Sequence, residues 1–307
     1  MKWAAALVWC AVTMTGCVAT VGSPAVTDEP DDPVQALVDE ELDRLVADGA
    51  TRAVLVVLDP ADGRVLGRGG RGPDGDAEVD RVVMMGSTIK PLTIAAALEA
   101  GLDPTREFPG EGGEWRPDAS TLLRDAHPQA SFTAEQVLIA SSNVGAGKIV
   151  EAVGQGPIAA YFAEVDAQVP EVTSWPAHGA GIGVAMTPTS LAAAYGVFAN
   201  GGELVTPTTD GTGARRRVLT AATARVIVDM LEAAVGDDGT GFRARIPGHR
   251  VAGKTGTTSD GAAVFAGVAP VDAPRYVIVV RAERTDGAWG GSVAAPSFAR
   301  VASALLR

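Results

Sequence analysis

The stretch that decides the fold of this chain is Val-Ala-Gly-Lys-Thr-Gly-Thr-Thr, at residues 251–258. It predicts a strand on which Lys254 stands beside two hydroxyl residues, Thr255 and Thr257. Residues two apart on a strand share a face, so both hydroxyls are expected to point the same way. Between them, Gly256 allows another backbone to approach closely. A cation and two hydroxyls on one rim predict a binding site for a carboxylate.

Upstream of this strand, a second motif predicts a nucleophile. Gly-Ser-Thr-Ile-Lys-Pro at residues 86–91 opens a predicted apolar helix over about Thr88 to Leu98. A serine hydroxyl needs a base at neutral pH, and Lys90 lies one helical turn from Ser87. Burial among apolar residues would help this lysine to lose its proton. The Ser87 amide at the helix start and the Thr257 amide are the predicted donors to an oxyanion.

The third motif, Ser-Ser-Asn at residues 141–143, lies between the other two along the chain. We predict that Ser141 relays a proton between Lys90 and the leaving nitrogen, and that Asn143 holds a substrate amide. Lys254 is predicted to lower the cost of negative charge. The predicted catalytic set is therefore Ser87, Lys90, Ser141 and Lys254, with Asn143, Thr255, Gly256 and Thr257 as the predicted substrate-binding residues.

Ser-x-x-Lys, Ser-x-Asn and Lys-Thr-Gly in this order resemble the active-site triplet of penicillin-binding proteins and serine β-lactamases. The flanking phrases resemble more narrowly the transpeptidase domain of class B penicillin-binding proteins, over residues 33–307. These phrases are Met-Thr-Pro-Thr-Ser-Leu-Ala-Ala-Ala-Tyr-Gly-Val-Phe-Ala-Asn-Gly-Gly at 186–202, Gly-Thr-Gly at 239–241 and Val-Ala-Ala-Pro-Ser-Phe at 293–298.

This resemblance implies D-Ala-D-Ala transpeptidation of peptidoglycan stem peptides through an acyl-enzyme on Ser87, with covalent capture by β-lactam antibiotics. It implies no cofactor. Class B enzymes usually carry a long N-terminal pedestal and a membrane anchor helix, and here a short segment precedes residue 33. Whether the domain cross-links alone or serves a partner protein of cell-wall synthesis is left open.

The N-terminal residues predict export and a lipid anchor. Residues 1–17 combine one lysine, an apolar run and Met-Thr-Gly-Cys, which resembles a lipobox with Cys17 as the lipidated residue. The alternative is an ordinary export signal. Residues 18–32 are predicted to be a tether that leads from the membrane to a domain in the periplasm or another extracytoplasmic space. A net charge of −12 argues against a nucleic-acid partner.

The order of predicted elements indicates an α+β fold. A helix from Pro33 and a hairpin with Asp62-Gly63 in its turn come first; three strands, near 250–257, 263–268 and 276–284, and a closing helix come last. Helices lie between them, without βαβ alternation, and residues 102–130, which mix charged residues with several glycines and prolines, are predicted to be irregular surface. We therefore predict one five-stranded antiparallel sheet built from both chain ends, covered by the terminal helices, with an inserted helical lobe on its other face.

Other functions are compatible with parts of the sequence. A serine β-lactamase needs a base for deacylation, but no Glu-x-x-Leu-Asn phrase of class A enzymes is present, and class D enzymes carry an apolar residue in place of Asn143. A D,D-carboxypeptidase and a non-catalytic β-lactam or peptidoglycan sensor share the fold and stay open. Residues 248–255 formally match a P-loop but lack its strand and helix context. The three histidines are too scattered to predict a metal site.

Overall fold

The computed structural model describes residues 32–170, 174–284, 287 and 289–307. The predicted signal at residues 1–17, with Cys17, and all of the predicted tether except its last residue lie outside these ranges. Where the described chain begins, the Asp32 side chain accepts a hydrogen bond from the Val34 amide at 2.8 Å, and Pro33 is the first helical residue. This is the capped helix start that the sequence predicts.

The described residues form nine α-helices and thirteen strands, besides four short 3-10 helices. In chain order, the helices are α1 Pro33–Ala47, α2 Lys90–Glu99, α3 Ala134–Ile139, α4 Asn143–Val153, α5 Gln155–Glu164, α6 Trp175–Gly179, α7 Pro188–Ala199, α8 Ala221–Ala233 and α9 Ala294–Leu305. The strands are β1 Ala50–Leu58, β2 Val65–Arg71, β3 Val83–Met84, β4 Phe108–Pro109, β5 Glu114–Trp115, β6 Leu123–Arg124, β7 Ser131–Phe132, β8 Ala185–Met186, β9 Glu203–Val205, β10 Arg215–Arg217, β11 Ala252–Thr257, β12 Ala262–Ala269 and β13 Tyr276–Arg284.

Five of these strands form the central sheet, in the order β11-β12-β13-β1-β2. Every neighbouring pair is antiparallel, and β1 from the start of the chain pairs with β13 from its end. The predicted five-stranded antiparallel sheet built from both chain ends is confirmed. The strand β11, which carries the Lys-Thr-Gly motif, lies at one edge of this sheet and therefore has one open side.

The sheet separates two apolar layers, because alternate residues of each strand face opposite sides. Val54 and Val56 of β1 belong to the layer shared with the helical lobe. Leu55 and Val57 belong to the layer beneath the terminal helices, whose apolar faces contribute residues such as Leu42 and Phe298. Burial of both faces explains why β1 reads as an almost continuous apolar run.

The inserted lobe contains α2 to α8, and it differs from the sequence-based expectation in detail. Residues 102–130, predicted to be irregular, contain the short strands β4, β5 and β6; β5 pairs with β6, and β4 pairs with β7 just after this range. The helices α5 and α6 were not predicted either. Two-residue strands and a five-residue helix are too short to produce a recognisable hydrophobic period. None of the described helices is both long and apolar enough to cross a bilayer.

Candidate active site

Ser87 lies in a 3-10 turn, Gly86–Ile89, that leads directly into α2. The predicted helix start is therefore displaced, since the α-helical residues begin at Lys90 rather than Thr88. The turn brings the Lys90 Nζ to 2.5 Å from the Ser87 Oγ. The Tyr195 hydroxyl of α7 stabilises the turn by donating a hydrogen bond to the Thr88 carbonyl at 2.9 Å. The serine and its neighbouring amine are thus held by packing within the lobe.

Lys90 is completely buried, with 0% of its surface exposed. Its Nζ also lies 2.8 Å from the Asn143 Oδ1. Burial lowers the pKa of Lys90 from its ordinary value of 10.5 to about 7, and the charge of Asp125 opposes part of this shift. A large fraction of Lys90 is therefore the free amine at neutral pH, which is the form that can accept the proton of the serine.

The Ser-Ser-Asn motif forms the junction between α3 and α4. Ser141 adopts a left-handed backbone with a φ of 56°, which residues other than glycine seldom adopt. Ser142 caps α4 by accepting a hydrogen bond from the Gly145 amide at 2.7 Å, and Asn143 is the first residue of that helix. Such strain persists only where surrounding contacts enforce it, and it is common at functional sites.

Lys254 is the second completely buried amine, and it reaches the cleft from β11. Its Nζ donates to the Ser141 Oγ at 2.9 Å and to the Thr255 carbonyl at 3.1 Å. The Thr240 hydroxyl lies 3.5 Å from the same nitrogen and 2.8 Å from the Thr255 hydroxyl. Burial, and then repulsion by Lys90, lower the pKa of Lys254. Three hydroxyls, those of Ser141, Thr240 and Thr255, therefore surround the Lys254 amine.

The edge of β11 presents the Thr257 amide toward the Ser87 turn. The Thr258 amide donates to the Ala262 carbonyl of β12 at 3.0 Å. Hydrogen-bonded pairs alternate along an antiparallel ladder, so the Thr257 N–H points away from β12, toward the open side. Gly86 lies against this edge, where an added Cβ would be 2.7 Å from the Thr257 carbonyl oxygen. The two predicted oxyanion donors thus belong to segments in direct contact.

All three motifs open into one cleft of about 900 Å³. Ser87, Ser141 and Asn143 line one side, while Thr255 and Thr257 line the other. At its mouth lie two aromatic side chains, Trp289, which is 64% exposed, and Phe242. This is a volume suited to a peptide or a drug-sized ligand.

Sequence reasoning missed two residues of this site. Asp125, in the segment predicted to be irregular surface, accepts hydrogen bonds from the Ser142 hydroxyl and the Asn143 amide, each at 2.6 Å. Thr240 was noticed only as part of a flanking phrase, although its hydroxyl joins Lys254 and Thr255. No local spacing marks either residue, because both reach the site through loops distant in sequence.

Some predicted side chains have protein partners that the sequence did not suggest. The Asn143 side-chain nitrogen donates to the Arg124 carbonyl at 2.7 Å while the side-chain oxygen faces Lys90, and its predicted hold on a substrate amide stays a prediction. His178 is buried in α6, where its Nδ1 lies 3.0 Å from the Ile182 carbonyl. Among the described residues, no three histidine, cysteine, aspartate or glutamate side chains are placed to hold a metal ion.

A cleft-lining serine beside a buried lysine, a second buried lysine and an open strand edge define this as a serine-nucleophile, acyl-transfer type of site. Residues 53–303 match the family model for the penicillin-binding protein transpeptidase domain, and the chain belongs to that family. This confirms the resemblance found in the sequence.

Individual relatives agree with this assignment. The chain is 31% identical to penicillin-binding protein PbpB of Mycolicibacterium smegmatis, over 90% of this chain and 53% of that protein. It is 29% identical to the probable peptidoglycan D,D-transpeptidase PbpC of Pseudomonas aeruginosa, over 72% of this chain and 45% of the relative. The chain thus spans about half the length of these relatives.

A solved structure shows the same architecture. The apo TP domain of Burkholderia pseudomallei penicillin-binding protein 3 superposes with a TM-score of 0.80 and 26% identity. The match covers 90% of this chain and 94% of that one. The shared α+β fold therefore extends over nearly all of the domain rather than over the motifs alone.

Proposed function

We propose that this chain is a peptidoglycan D,D-transpeptidase that acts on D-Ala-D-Ala stem peptides through an acyl-enzyme on Ser87, and that β-lactams trap this acyl-enzyme. The observation that carries the proposal is the 2.5 Å approach of the fully buried Lys90 Nζ to the Ser87 Oγ, which lines the cleft. The names of the relatives, among them peptidoglycan D,D-transpeptidase FtsI of Escherichia coli, support the reaction class.

Acylation begins when the free amine of Lys90 takes the Ser87 proton and the Ser87 oxygen attacks the carbonyl between the two D-alanines. Negative charge develops on the former carbonyl oxygen. The amides of Ser87 and Thr257 are placed to donate to that oxygen. The tetrahedral adduct then breaks its C–N bond, and the nitrogen of the terminal D-alanine leaves with a proton. The product is an ester on Ser87.

The proton for the leaving nitrogen has a short route. Ser141 Oγ accepts from Lys254 Nζ at 2.9 Å and lines the cleft, so its own hydroxyl can face the scissile bond. Lys90 keeps the proton taken from Ser87, and the leaving nitrogen takes the Ser141 hydroxyl proton, which Lys254 replaces. In the second half-reaction an acceptor amine attacks the ester and loses a proton to Lys254 through Ser141, while Lys90 returns its proton to the Ser87 oxygen.

The inner end of the cleft suits the terminal carboxylate of the donor peptide. Thr240 and Thr255 place two hydroxyls next to the Lys254 ammonium, and Thr257 lies further along the same edge. An extended peptide can lie along β11 because that edge lacks a neighbouring strand in the sheet. Gly256 lets the segment that carries Ser87 approach this strand, since an added Cβ would lie 2.6 Å from the Met85 carbonyl oxygen.

Exposure to benzylpenicillin should add one penicilloyl group to the peptide that contains Ser87, detected by intact and peptide mass spectrometry. The adduct should persist for many minutes, because no carboxylate base of the class A type was found in the sequence. Ser87→Ala should show no adduct, and Ser131→Ala, which removes a half-buried hydroxyl of β7 that donates to Glu107, should label like the wild type. An unlabelled wild type, or rapid release of penicilloate, would contradict the proposal.

With a D-Ala-D-Ala peptide and an acceptor amine, the transpeptidase should release D-Ala and form a cross-linked product. Release of D-Ala without any cross-linked product would show a D,D-carboxypeptidase instead. The two outcomes share the acyl-enzyme, so the labelling result and the product assay separate the identity of the nucleophile from the choice of acceptor.

We also propose that the chain is exported and anchored through a lipid on Cys17, with residues 18–32 as its tether. The lipobox-like sequence before Cys17 supports this, and these residues precede the domain by only a short span. Cys17→Ser should move the protein from the membrane fraction to the soluble fraction of lysed cells. Equal membrane association of Cys17→Ser and wild type would contradict lipidation at that residue.

A further inference from the structure

Asp125 connects the loop after β6 to the start of α4. One carboxylate oxygen accepts hydrogen bonds from the amides of Asn143 and Val144, at 2.6 and 3.0 Å. The other accepts from the Ser142 hydroxyl at 2.6 Å. The aspartate itself is fixed, because its amide donates to the Gly113 carbonyl at 2.9 Å. Three of the four bonds therefore end on the Ser-Ser-Asn segment or the residue that follows it.

The neighbouring residue, Arg124, makes a further hydrogen bond with Asn143. The Arg124 carbonyl accepts from the Asn143 side-chain amide at 2.7 Å, which turns the Asn143 oxygen toward Lys90. That oxygen lies 2.8 Å from the Lys90 Nζ, which in turn lies 2.5 Å from the Ser87 Oγ. A continuous chain of contacts therefore runs from Asp125 through Asn143 and Lys90 to the nucleophile.

Asp125 also sets the charge around Lys90. Two charged groups act on this buried amine from other elements: Asp125, from the loop before α3, and Lys254, from β11. The carboxylate favours protonated Lys90, whereas Lys254 and Lys90 repel each other when both are charged. Asp125 is the carboxylate whose charge acts on Lys90, so it influences which protonation state of the two amines is populated.

We propose that Asp125 is a positioning residue of this active site, which fixes Asn143 against Lys90 and supplies the negative charge nearest to that amine. It touches no reacting atom and acts through Asn143 and Lys90. The inference rests on the proposed acylation of Ser87, and it adds a fourth segment, 124–125, to the three motifs that were recognised in the sequence.

Two substitutions separate the two roles. Asp125→Asn keeps an oxygen for the Asn143 and Val144 amides, and the Ser142 hydroxyl can accept from the new amide nitrogen, so the geometry is retained while the charge is lost. Asp125→Ala removes both the hydrogen-bonding oxygens and the charge. Asp32→Ala is the matched control, because Asp32 caps α1 in the same manner on the other face of the sheet.

The measurement is the second-order rate of acylation by a chromogenic cephalosporin or benzylpenicillin between pH 5 and 9, on the full domain. Asp125→Asn should shift the midpoint of the pH profile to lower pH and keep the rate at high pH within a few-fold of wild type. The acylation rate of Asp125→Ala should be at least about 10-fold lower than that of the wild type at every pH, as expected when a supporting group is displaced. Asp32→Ala should match the wild-type profile at temperatures where it is folded.

The inference and the proposed function fail in different ways. If the wild type is not acylated, the proposed function is wrong. If the wild type is acylated but Asp125→Asn leaves the midpoint unchanged, Asp125 does not supply the charge that acts on Lys90. If Asp125→Ala also acylates at the wild-type rate, the positioning role is overturned as well. Should Asp125→Ala not fold, a slower rate in Asp125→Asn without a shifted midpoint would indicate a structural role alone.

Discussion

Replacement of Lys90 by methionine should slow acylation of Ser87 by benzylpenicillin by about 10³-fold, within the range that a general base contributes. The methionine side chain fills most of the space of the lysine but cannot accept the serine proton. Asn143 would lose the partner at 2.8 Å that its oxygen faces, and Ser87 the nitrogen at 2.5 Å. The nucleophile itself would remain in its turn.

In the wild type, the same base should govern the pH dependence. Because burial lowers the pKa of Lys90 to about 7, the fraction of free amine falls tenfold per pH unit below that value and levels off above it. The acylation rate should therefore rise from pH 5 to about pH 7 and then reach a plateau. This dependence should vanish in Lys90→Met, whose residual rate has no base to titrate.

The loss of activity in Lys90→Met should not be accompanied by a loss of stability. The folded-state pKa of Lys90 lies below that of an unfolded lysine, so the unfolded chain binds more protons between about pH 7 and pH 10.4. The contribution of Lys90 to the free energy of unfolding therefore increases as pH rises through that window. Below about pH 7 the full cost of burying the charged amine is present. At pH 6, Lys90→Met removes this cost, so its thermal midpoint should equal or exceed that of the wild type.

Stopped-flow acylation and thermal unfolding at pH 6 and 8 test these expectations together. Lys148→Met is the matched control, because Lys148 is paired with Glu111 and stacked on Trp115, away from the cleft. It should acylate at the wild-type rate. Near wild-type acylation by Lys90→Met would show that another group takes the serine proton, and a large drop in its thermal midpoint would show that the lysine is held mainly for structure.

The fold was largely predictable because its signals are local and periodic. Alternating or continuous apolar runs in β1 and β13 and the capped start of α1 each appear within a short window of sequence. The order of elements predicted a sheet built from both chain ends, whereas the pairing of β1 with β13 is known from the structure. Short spacing also placed Ser87 next to Lys90, since three residues along a helical turn bring side chains together.

The supporting contacts of the site could not be read in this way. Asp125 meets Asn143 across 18 residues of chain, and Thr240 meets Thr255 across 15, through loops with no periodic pattern. Ser141 bonds with Lys254 rather than with Lys90, although Lys90 is closer along the chain. This choice of partner depends on the tertiary approach of β11 to the lobe. A sequence therefore indicates which side chains carry the chemistry more readily than which others hold them in place.

Substitution of Gly86 by alanine should reduce acylation of Ser87 by about 10²-fold, although it adds only a methyl group next to the nucleophile. Gly86 has a left-handed φ of 56°, and its Cβ would lie 2.7 Å from the Thr257 carbonyl oxygen. Because this neighbour is backbone in a sheet rather than a flexible side chain, the Ser87 turn must move away from β11. The two amides proposed to bind the oxyanion would then separate.

Gly75 provides a control with the same backbone conformation. Its φ is also 56°, but nothing lies within 4 Å of where its Cβ would be. Gly75→Ala should therefore lose only about 1–2 kcal/mol of unfolding free energy, which is the cost of a left-handed alanine, and should acylate normally. Gly86→Ala should lose at least as much unfolding free energy as Gly75→Ala, and its acylation rate should fall as well. Equal acylation by both alanine variants would mean that the contact between Gly86 and Thr257 does not set the geometry at Ser87.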